Sequence, residues 1–359
     1  MTNNSPIFAI LAAAVQNRAS DIHLKTGAPP ILRIDGNLRP LNTPPLDRDH
    51  MKEVVRTLTA AAWLSEPTDG TKQVDFALHV EKTGRFRCHI YRQQGNWAAV
   101  LRIIPERVPD PKTLRLPPVI KQIADLTRGI VLVSGATGMG KSTTVASILT
   151  EMAANRSLHI VTIEDPIEFI IPDGKSVVSQ RSVGVDVESF DDALRASFRE
   201  DLDVLFIGEL RSPLAVEVAL QAGESGHLCI STIHTADAMS TIARVASMIP
   251  EDHKRNVLGR LSESLQAVIC QRLVPMAGRT SRILVNEVLV TTPTLRQAIR
   301  DPAEHKSITQ TVAREATGSN NQTFDQHLLT LVRNKLITLE IAEAAATCKA
   351  DFQRALRLG

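Results

Sequence analysis

A chain of 359 residues is long enough for two domains and a substantial core. Its 41 basic and 39 acidic residues leave a formal charge of +2, and aromatic residues make up only 3%. That balance gives neither the whole-chain positive field nor the stacking platform of a nucleic-acid binder, so no nucleic-acid partner is expected. Cys88, Cys229, Cys270 and Cys348 are scattered and form no CxxC pair, so neither a zinc knuckle nor a disulfide framework is suggested and a reducing, cytoplasmic setting is expected. No apolar run approaches the ~18 residues needed to span a bilayer.

In chain order, Ile7 to Val15 is a short apolar stretch with no Lys or Arg before it. It is expected to be a packed N-terminal helix rather than an export signal. Residues 1 to about 104 mix one or two helices with alternating strands: Val74, Phe76, Leu78 and Val80 share one face, with Asp75 and His79 on the other. Lys82-Thr83-Gly84 reads as a hairpin turn into Arg85–Ile90, where Phe86, Cys88 and Ile90 point one way. The opposite, open face of that strand carries Arg85, Arg87 and His89. A further strand is expected from Ala98 to Ile104.

Pro105, Pro109, Pro111, Pro117 and Pro118 then cluster, a density expected to exclude helix and central strand and to mark a linker over 105–118. Beyond it, Ile130–Val133, His159–Ile163, Val204–Ile207 and Leu228–Ser231 are short apolar runs separated by helical segments. This is the βαβ alternation of a mostly parallel sheet covered by helices, an α/β fold. From Met248 onward the pattern becomes largely helical, interrupted by a strand near Ile283 to Val285, and the last forty residues read as two amphipathic helices.

The chemistry begins at Gly135-Ala136-Thr137-Gly138-Met139-Gly140-Lys141-Ser142, which fits the phosphate-loop pattern GxxxxGK[ST]. Ile130-Val131-Leu132-Val133 before it suits a strand buried on both faces. Val145, Ile148, Leu149 and Met152 after it fall at helical spacing, so the loop opens onto a helix N-terminus. Glycines let amides turn toward phosphate oxygens, the helix dipole favours the charge, Lys141 reaches the β and γ phosphates, and Ser142 offers its hydroxyl to Mg²⁺.

Two acidic strand ends complete the pattern. Ile160-Val161-Thr162-Ile163 runs into Glu164-Asp165-Pro166-Ile167-Glu168, and Val204-Leu205-Phe206-Ile207-Gly208-Glu209 is an apolar strand ending in one acid, with Glu209 on the metal side. Ligands of open α/β sheets bind at the carboxyl ends of strands, which places both acidic ends beside the loop. His227 and His234 flank the Leu228–Ser231 strand, and His234, at its carboxyl end, is the better candidate to meet the γ-phosphate.

In order and spacing, GATGMGKSTT, TIEDPIEF, DVLFIGELR and GHLCISTIHT resemble the Walker A, Asp box, Walker B and His box of the secretion-superfamily ATPases. These drive type II secretion, type IV pili and type IV secretion, and the likeness is strongest to the pilus retraction branch. Ala19-Ser20-Asp21-Ile22-His23-Leu24 is similar to the opening of that family's N-terminal domain. The resemblance implies a PAS-like domain over 1–104, the linker over 105–118, and a RecA-like ATPase domain with a helical C-terminal subdomain over 119–359.

It also implies ATP and Mg²⁺ bound by the loop from Gly135 through Thr143, with Ser142 and Glu209 at the metal. Glu168 becomes the water-activating carboxylate with Glu164 nearby, and His227 and His234 position the γ-phosphate. Arg85, Arg87 and Arg102 would reach nucleotide across a domain or subunit boundary. The implied assembly is a homo-hexamer at the inner face of the bacterial inner membrane. It would act on a membrane platform protein, alone or with a paralogous pilus ATPase.

Thr294-Leu295-Arg296-Gln297-Ala298-Ile299-Arg300-Asp301 resembles the AIRNLIRE motif of retraction ATPases, keeping both arginines, the isoleucine and the terminal acid. Met139 and Leu202 depart from the family pattern, but neither removes a phosphate donor or a carboxylate. The accessory motor and the conjugation or type IV secretion ATPase are the alternative readings.

Overall fold

The computed structural model describes residues 5–68, 70–104, 108–109, 111–279, 281–316 and 320–358. Pro105, where the predicted linker begins, and the first four residues lie outside them. By contacts the chain divides into two compact units. The first is Met1–Arg107 with Glu164–Ile170 and Arg181–Phe190; the second is Val108–Ile163, Ile171–Gln180 and Asp191–Gly359.

The first unit contains α1 (Pro6–Gln16), β1 (Asp21–Lys25), β2 (Ile31–Ile34), β3 (Asn37–Pro40), α2 (Arg48–Ala61), β4 (Gln73–Val80), β5 (Gly84–Gln93) and β6 (Asn96–Ile104). Its six strands form an antiparallel sheet in the order β3-β2-β1-β6-β5-β4. Alternation does what the sequence implied: Phe76, Leu78, Phe86, Cys88, Ile90 and Leu101 are buried on one face. There they join Ile7 and Leu11 of α1 and Met51, Val55 and Leu58 of α2 in one core. Each fully buried side chain of this size contributes roughly 1.5–3 kcal/mol relative to exposure.

The second unit begins with α3 (Pro111–Leu114) and α4 (Val119–Asp125). A single helical turn therefore forms inside the stretch whose prolines were expected to exclude helix. It is tolerated because Pro111 stands at the first helical position, where no backbone donor is needed. Next come β7 (Gly129–Ser134), α5 (Lys141–Asn155), β8 (His159–Glu164), β9 (Val177–Ser182), α6 (Phe190–Ser197), β10 (Val204–Ile207), α7 (Pro213–Glu224), β11 (Leu228–Ile233) and α8 (Ala238–Ser247). The chain continues through α9 (Lys254–Ser264), β12 (Leu265–Pro275) and β13 (Arg282–Val290). It closes with α10 (Pro293–Arg300), α11 (Ile308–Arg314), α12 (Phe324–Arg333), α13 (Leu339–Ala345) and α14 (Lys349–Leu358).

Seven strands form the sheet β13-β12-β7-β11-β10-β8-β9. β12, β7, β11, β10 and β8 run parallel, and β13 pairs antiparallel with β12. Every residue of β7, β10 and β11 is buried, which explains their unbroken apolar runs.

Two strands of this second sheet were not anticipated. β12 follows α9 without a loop, and Leu265, Val268 and Ile269 also fit helical spacing, so periodicity alone extends the helix. Pairing with β7 on one side and β13 on the other decides in favour of the strand. β9 is a short edge strand whose Val177 is exposed, so it carries no apolar run to announce it. The C-terminal forty residues hold three helices rather than two, because Thr338 starts α13 as an N-cap accepting from the Ile341 amide.

The cysteines are all free; Cys88, Cys229 and Cys270 are buried and Cys348 is exposed. Among the described residues no helix is long and apolar enough to cross a membrane.

One carboxylate is buried in this second core. Glu287 of β13 is 3% exposed, and its Oε2 accepts from the Ala238 amide at 2.7 Å. Burial raises its carboxyl from the ordinary 4.5 to about 7; the Ala238 bond opposes this, Asp237 adds to it, and Arg272 and Cys270 oppose it. The folded protein therefore holds a proton that the unfolded chain releases between these values, so this contribution to stability is full below about 4.5 and lost as pH rises through about 7. Glu287→Gln is expected to gain on the wild type by on the order of 3 kcal/mol between about pH 5 and pH 8. Denaturant titrations at both pH values measure it.

Candidate functional site

The phosphate loop spans the gap between β7 and α5. Gly135 has φ +146°, and a Cβ there would sit 2.6 Å from the Gln271 carbonyl oxygen of β12, so no side chain fits. Gly140 caps α5 at φ +85°, in the left-handed region that glycine adopts without strain.

β12 extends past the end of β7: Cys270 is opposite Ser134, the last residue of β7, and the chain beyond it runs alongside the loop. There the Leu273 amide donates to the Met139 sulfur at 3.2 Å, and the Gln271 side-chain amide donates to Thr144 Oγ1 of α5 at 2.7 Å. Thus the loop is held from outside by a strand edge that β7 no longer pairs. Ala136, Thr137 and Gly138 face solvent, Ser142 and Thr143 are half-buried at the helix start, and Lys141 is 8% exposed.

Strand order brings the other groups in. β11 lies between β7 and β10 in parallel register, with Ser134 opposite Ile233 and Ile207 opposite Ser231. Residues just after the three strands therefore emerge at one edge of the sheet. Lys141 Nζ donates to the Gly135 and Ala136 carbonyls at 2.8 and 3.1 Å and lies 3.2 Å from His234 Nδ1. His234 Nε2 is 3.5 Å from Glu209 Oε1. Because a lysine ammonium only donates, Nδ1 accepts and the ring proton lies on Nε2, facing the carboxylate.

The backbone around Glu209 is fixed on both sides: the Gly208 amide donates to Ile163, Thr232 Oγ1 donates to the Gly208 carbonyl at 2.6 Å, and the Leu210 amide donates to Thr232 at 2.9 Å.

His227 takes a different place. Leu228 is opposite Gly129 at the start of β7, so His227 lies at the sheet edge away from the loop, about 23 Å of strand from His234. There its Nδ1 meets Ser225 Oγ at 2.9 Å, and its ring meets Phe198 edge-on. Within this chain it does not join the phosphate-loop group, because the two histidines cap opposite ends of one strand.

The remaining candidates belong to the first unit. Glu164 ends β8 and is buried, and Glu168 Oε1 lies 3.6 Å from Arg87 Nη1. Arg102 stands directly across from Arg87, a like-charge cross-strand pair that is unfavourable on its own. Each arginine has its own carboxylate: Glu168 for Arg87 and Asp21 for Arg102, whose Nε donates to Oδ1 at 2.9 Å. Burial works against ionisation of Asp21, yet bonds from Ser20 and Arg102 hold its carboxyl below the usual range. Arg85, expected on an open face, is 8% exposed; it stands opposite Ile104 at the hairpin end, where the sheet face is covered.

Sequence reasoning missed Gln271, Thr144 and Glu287, because β12 and the length of β13 were not recognised. Among the described residues no three His, Cys, Asp or Glu side chains gather as a metal cage. Ser142, at the start of α5, and Glu209, just past β10, are the oxygen donors at this edge that could face a metal ion.

A glycine-lined loop on a helix N-terminus, a lysine folded under it and an acid two strands away define a nucleoside-triphosphate-binding α/β protein of the P-loop class. The chain belongs to the family of type II/IV secretion system proteins, whose model matches residues 4–340. It is 37% identical over 348 residues to the type IV pilus retraction ATPase PilT of Pseudomonas aeruginosa, covering 96% of this chain and 99% of that protein. It is 34% identical to the type IV pilus ATPase PilU of the same organism, covering 98% and 91%. A crystal structure of the pilus retraction motor PilT with bound ADP superposes with a TM-score of 0.86 at 39% identity, over 96% of this chain and 98% of that one.

The contact between Gly135 and Gln271 yields a direct test. Gly135→Ala places a methyl 2.6 Å from a backbone oxygen and forces the loop off β12. It is expected to weaken nucleotide binding by at least about tenfold, read by fluorescent-nucleotide titration.

Proposed function

We propose that this protein is a hexameric ATP-hydrolysing motor for type IV pilus retraction. It would act at the inner face of the cytoplasmic membrane on a pilus platform protein, with residues 1–104 as a PAS-like domain, 105–118 as a linker and 119–359 as the ATPase domain. The observation that carries this reading is the convergence of Lys141, His234 and Glu209 at one sheet edge, in a chain that matches PilT over nearly its whole length.

The loop amides and the α5 N-terminus bind the phosphates of ATP. Lys141 exchanges its carbonyl partners for the β and γ oxygens. His234, protonated on Nε2, carries the position of Glu209 to Lys141, so that all three respond to the terminal phosphate together. Ser142 and Glu209 would hold Mg²⁺, which when bound draws negative charge off the phosphates. Glu168 orients and deprotonates the attacking water, and Arg87 fixes the direction of that carboxylate. Arg85, Arg87 and Arg102 supply positive charge in the assembled ring, which makes closure on ATP a step shared between neighbours. His227, expected to help position the γ-phosphate, stands at the other end of β11 beside Ser225 and Phe198 and is given no part in this step.

Lys141→Ala and Glu209→Ala are each expected to lower ATP turnover by at least about 100-fold while hexamers still form, measured by phosphate release and analytical ultracentrifugation. Hexamers with undiminished turnover would remove the basis of the proposal. Arg87→Ala is expected to lower kcat more than it raises KM, because the pair with Glu168 serves the chemical step. An unchanged kcat with a raised KM counts against that role.

The similarity to PilU along 98% of the chain supports a second reading, an accessory ring subunit that works beside a paralogous pilus ATPase. A strain carrying only the Glu209→Ala form separates the two. Retraction that persists in a twitching assay selects the accessory role, and loss of twitching selects the motor.

A further inference from the structure

Glu287 has no part in the chemistry above, yet this buried carboxylate is bonded to the helix that begins just after the His234 loop. Its Oε2 accepts from the Ala238 amide at 2.7 Å, and Ala238 opens α8. The first amides of a helix lack intrahelical partners. In α8 two carboxylates take them: Asp237 Oδ1 accepts from Ser240 at 2.7 Å, and Glu287 accepts from Ala238.

The segment between His234 and this helix start is tied down at each residue. Thr235 Oγ1 meets Thr241 Oγ1 at 2.7 Å, the Ala236 carbonyl accepts from Arg272 at 3.5 Å, and the Asp237 carbonyl accepts from Thr241 Oγ1 at 2.7 Å. Glu287 reaches this set from the outer strand β13, at a site 3% exposed where an apolar side chain would cost less to bury. The charged and titratable groups facing it are Asp237 from the N-cap of α8 and Arg272 and Cys270 from β12.

We propose that Glu287 is a positioning residue for ATP turnover: it fixes the first turn of α8, and through Thr235–Asp237 it holds His234 between Lys141 and Glu209. The inference rests on the reading of His234 as the group that couples Lys141 to Glu209. The bridge spans 3.2 Å on one side of the ring and 3.5 Å on the other, so a loop shift of a few tenths of an ångström opens one contact or crowds the other. Loss of the Ala238 bond therefore acts on kcat and leaves the affinity for ADP, which has no γ-phosphate, at its wild-type value.

Two conservative changes separate reach from charge. Glu287→Asp keeps the carboxylate and withdraws it by one methylene from Ala238; Glu287→Gln keeps the reach and an accepting oxygen and removes the charge. Turnover is measured on the full-length hexamer with each change, in the wild-type and the His234→Ala backgrounds, together with ADP affinity and thermal midpoint. Glu287→Asp is expected to lower kcat about fivefold or more in the wild-type background, and by less than about twofold once His234 is alanine. Glu287→Gln is expected to stay within about twofold of the wild type.

Equal losses from Glu287→Asp in both backgrounds, a loss from Glu287→Gln as large as that from Glu287→Asp, or a wild-type kcat for Glu287→Asp would each overturn the proposal. If Glu287→Asp fails to assemble, Glu287→Gln turning over at less than about half the wild-type rate overturns it. Failure of the underlying reading shows differently: His234→Ala alone would then leave kcat unchanged, whatever Glu287 does.

Discussion

The site depends on the parallel register of three buried strands. β7, β11 and β10 are hydrogen-bonded side by side, and pairs such as Gly129 with Leu228 and Val204 with Leu228 align their starts. Strands that start together and run the same way finish at the same edge. The phosphate loop, His234 and Glu209, each lying just past the end of its strand, are therefore delivered to a common place by the ladder rather than by loop flexibility. Full burial of all three strands is what makes this alignment rigid, because a slip of one residue would leave backbone donors of the core unpaired.

β11 gives that arrangement its logic. Were β7 and β10 adjacent, the lysine and the acid could meet directly. With β11 inserted between them, the residue beyond its end becomes the intermediary, and histidine suits it, having one ring nitrogen to accept and one to donate. The supporting contacts come from farther out in the same sheet: β12 braces the loop through Gln271 and Leu273, and β13 reaches the start of α8 through Glu287. Five neighbouring strands thus share the positioning of one catalytic edge.

Those parts whose signal is local were legible in the sequence. The phosphate loop is a contiguous pattern between a strand run and a helix run, and Glu209 closes an apolar strand, so their positions could be read from neighbours in the chain. His234 was placed correctly because strand length fixes which end it occupies, and the same logic sets His227 at the opposite end. Parts that depend on pairing were hidden. β12 reads as helix until its partners are known, and with it Gln271 and Thr144 stayed out of view. The alternation of β5 assigned Arg85 and Arg87 to one face, but not that one would be covered and the other paired with Glu168, since both facts come from segments distant in sequence.

The thiols are divided in a way that offers an experimental handle. Burial pushes Cys88, Cys229 and Cys270 well above the ordinary thiol value, so they remain protonated and out of reach of alkylating reagents in the folded protein. Cys348, between α13 and α14, is the exposed exception. The native chain thereby carries one chemically addressable cysteine, ready for a maleimide dye that would follow its C-terminal helices without any engineered cysteine.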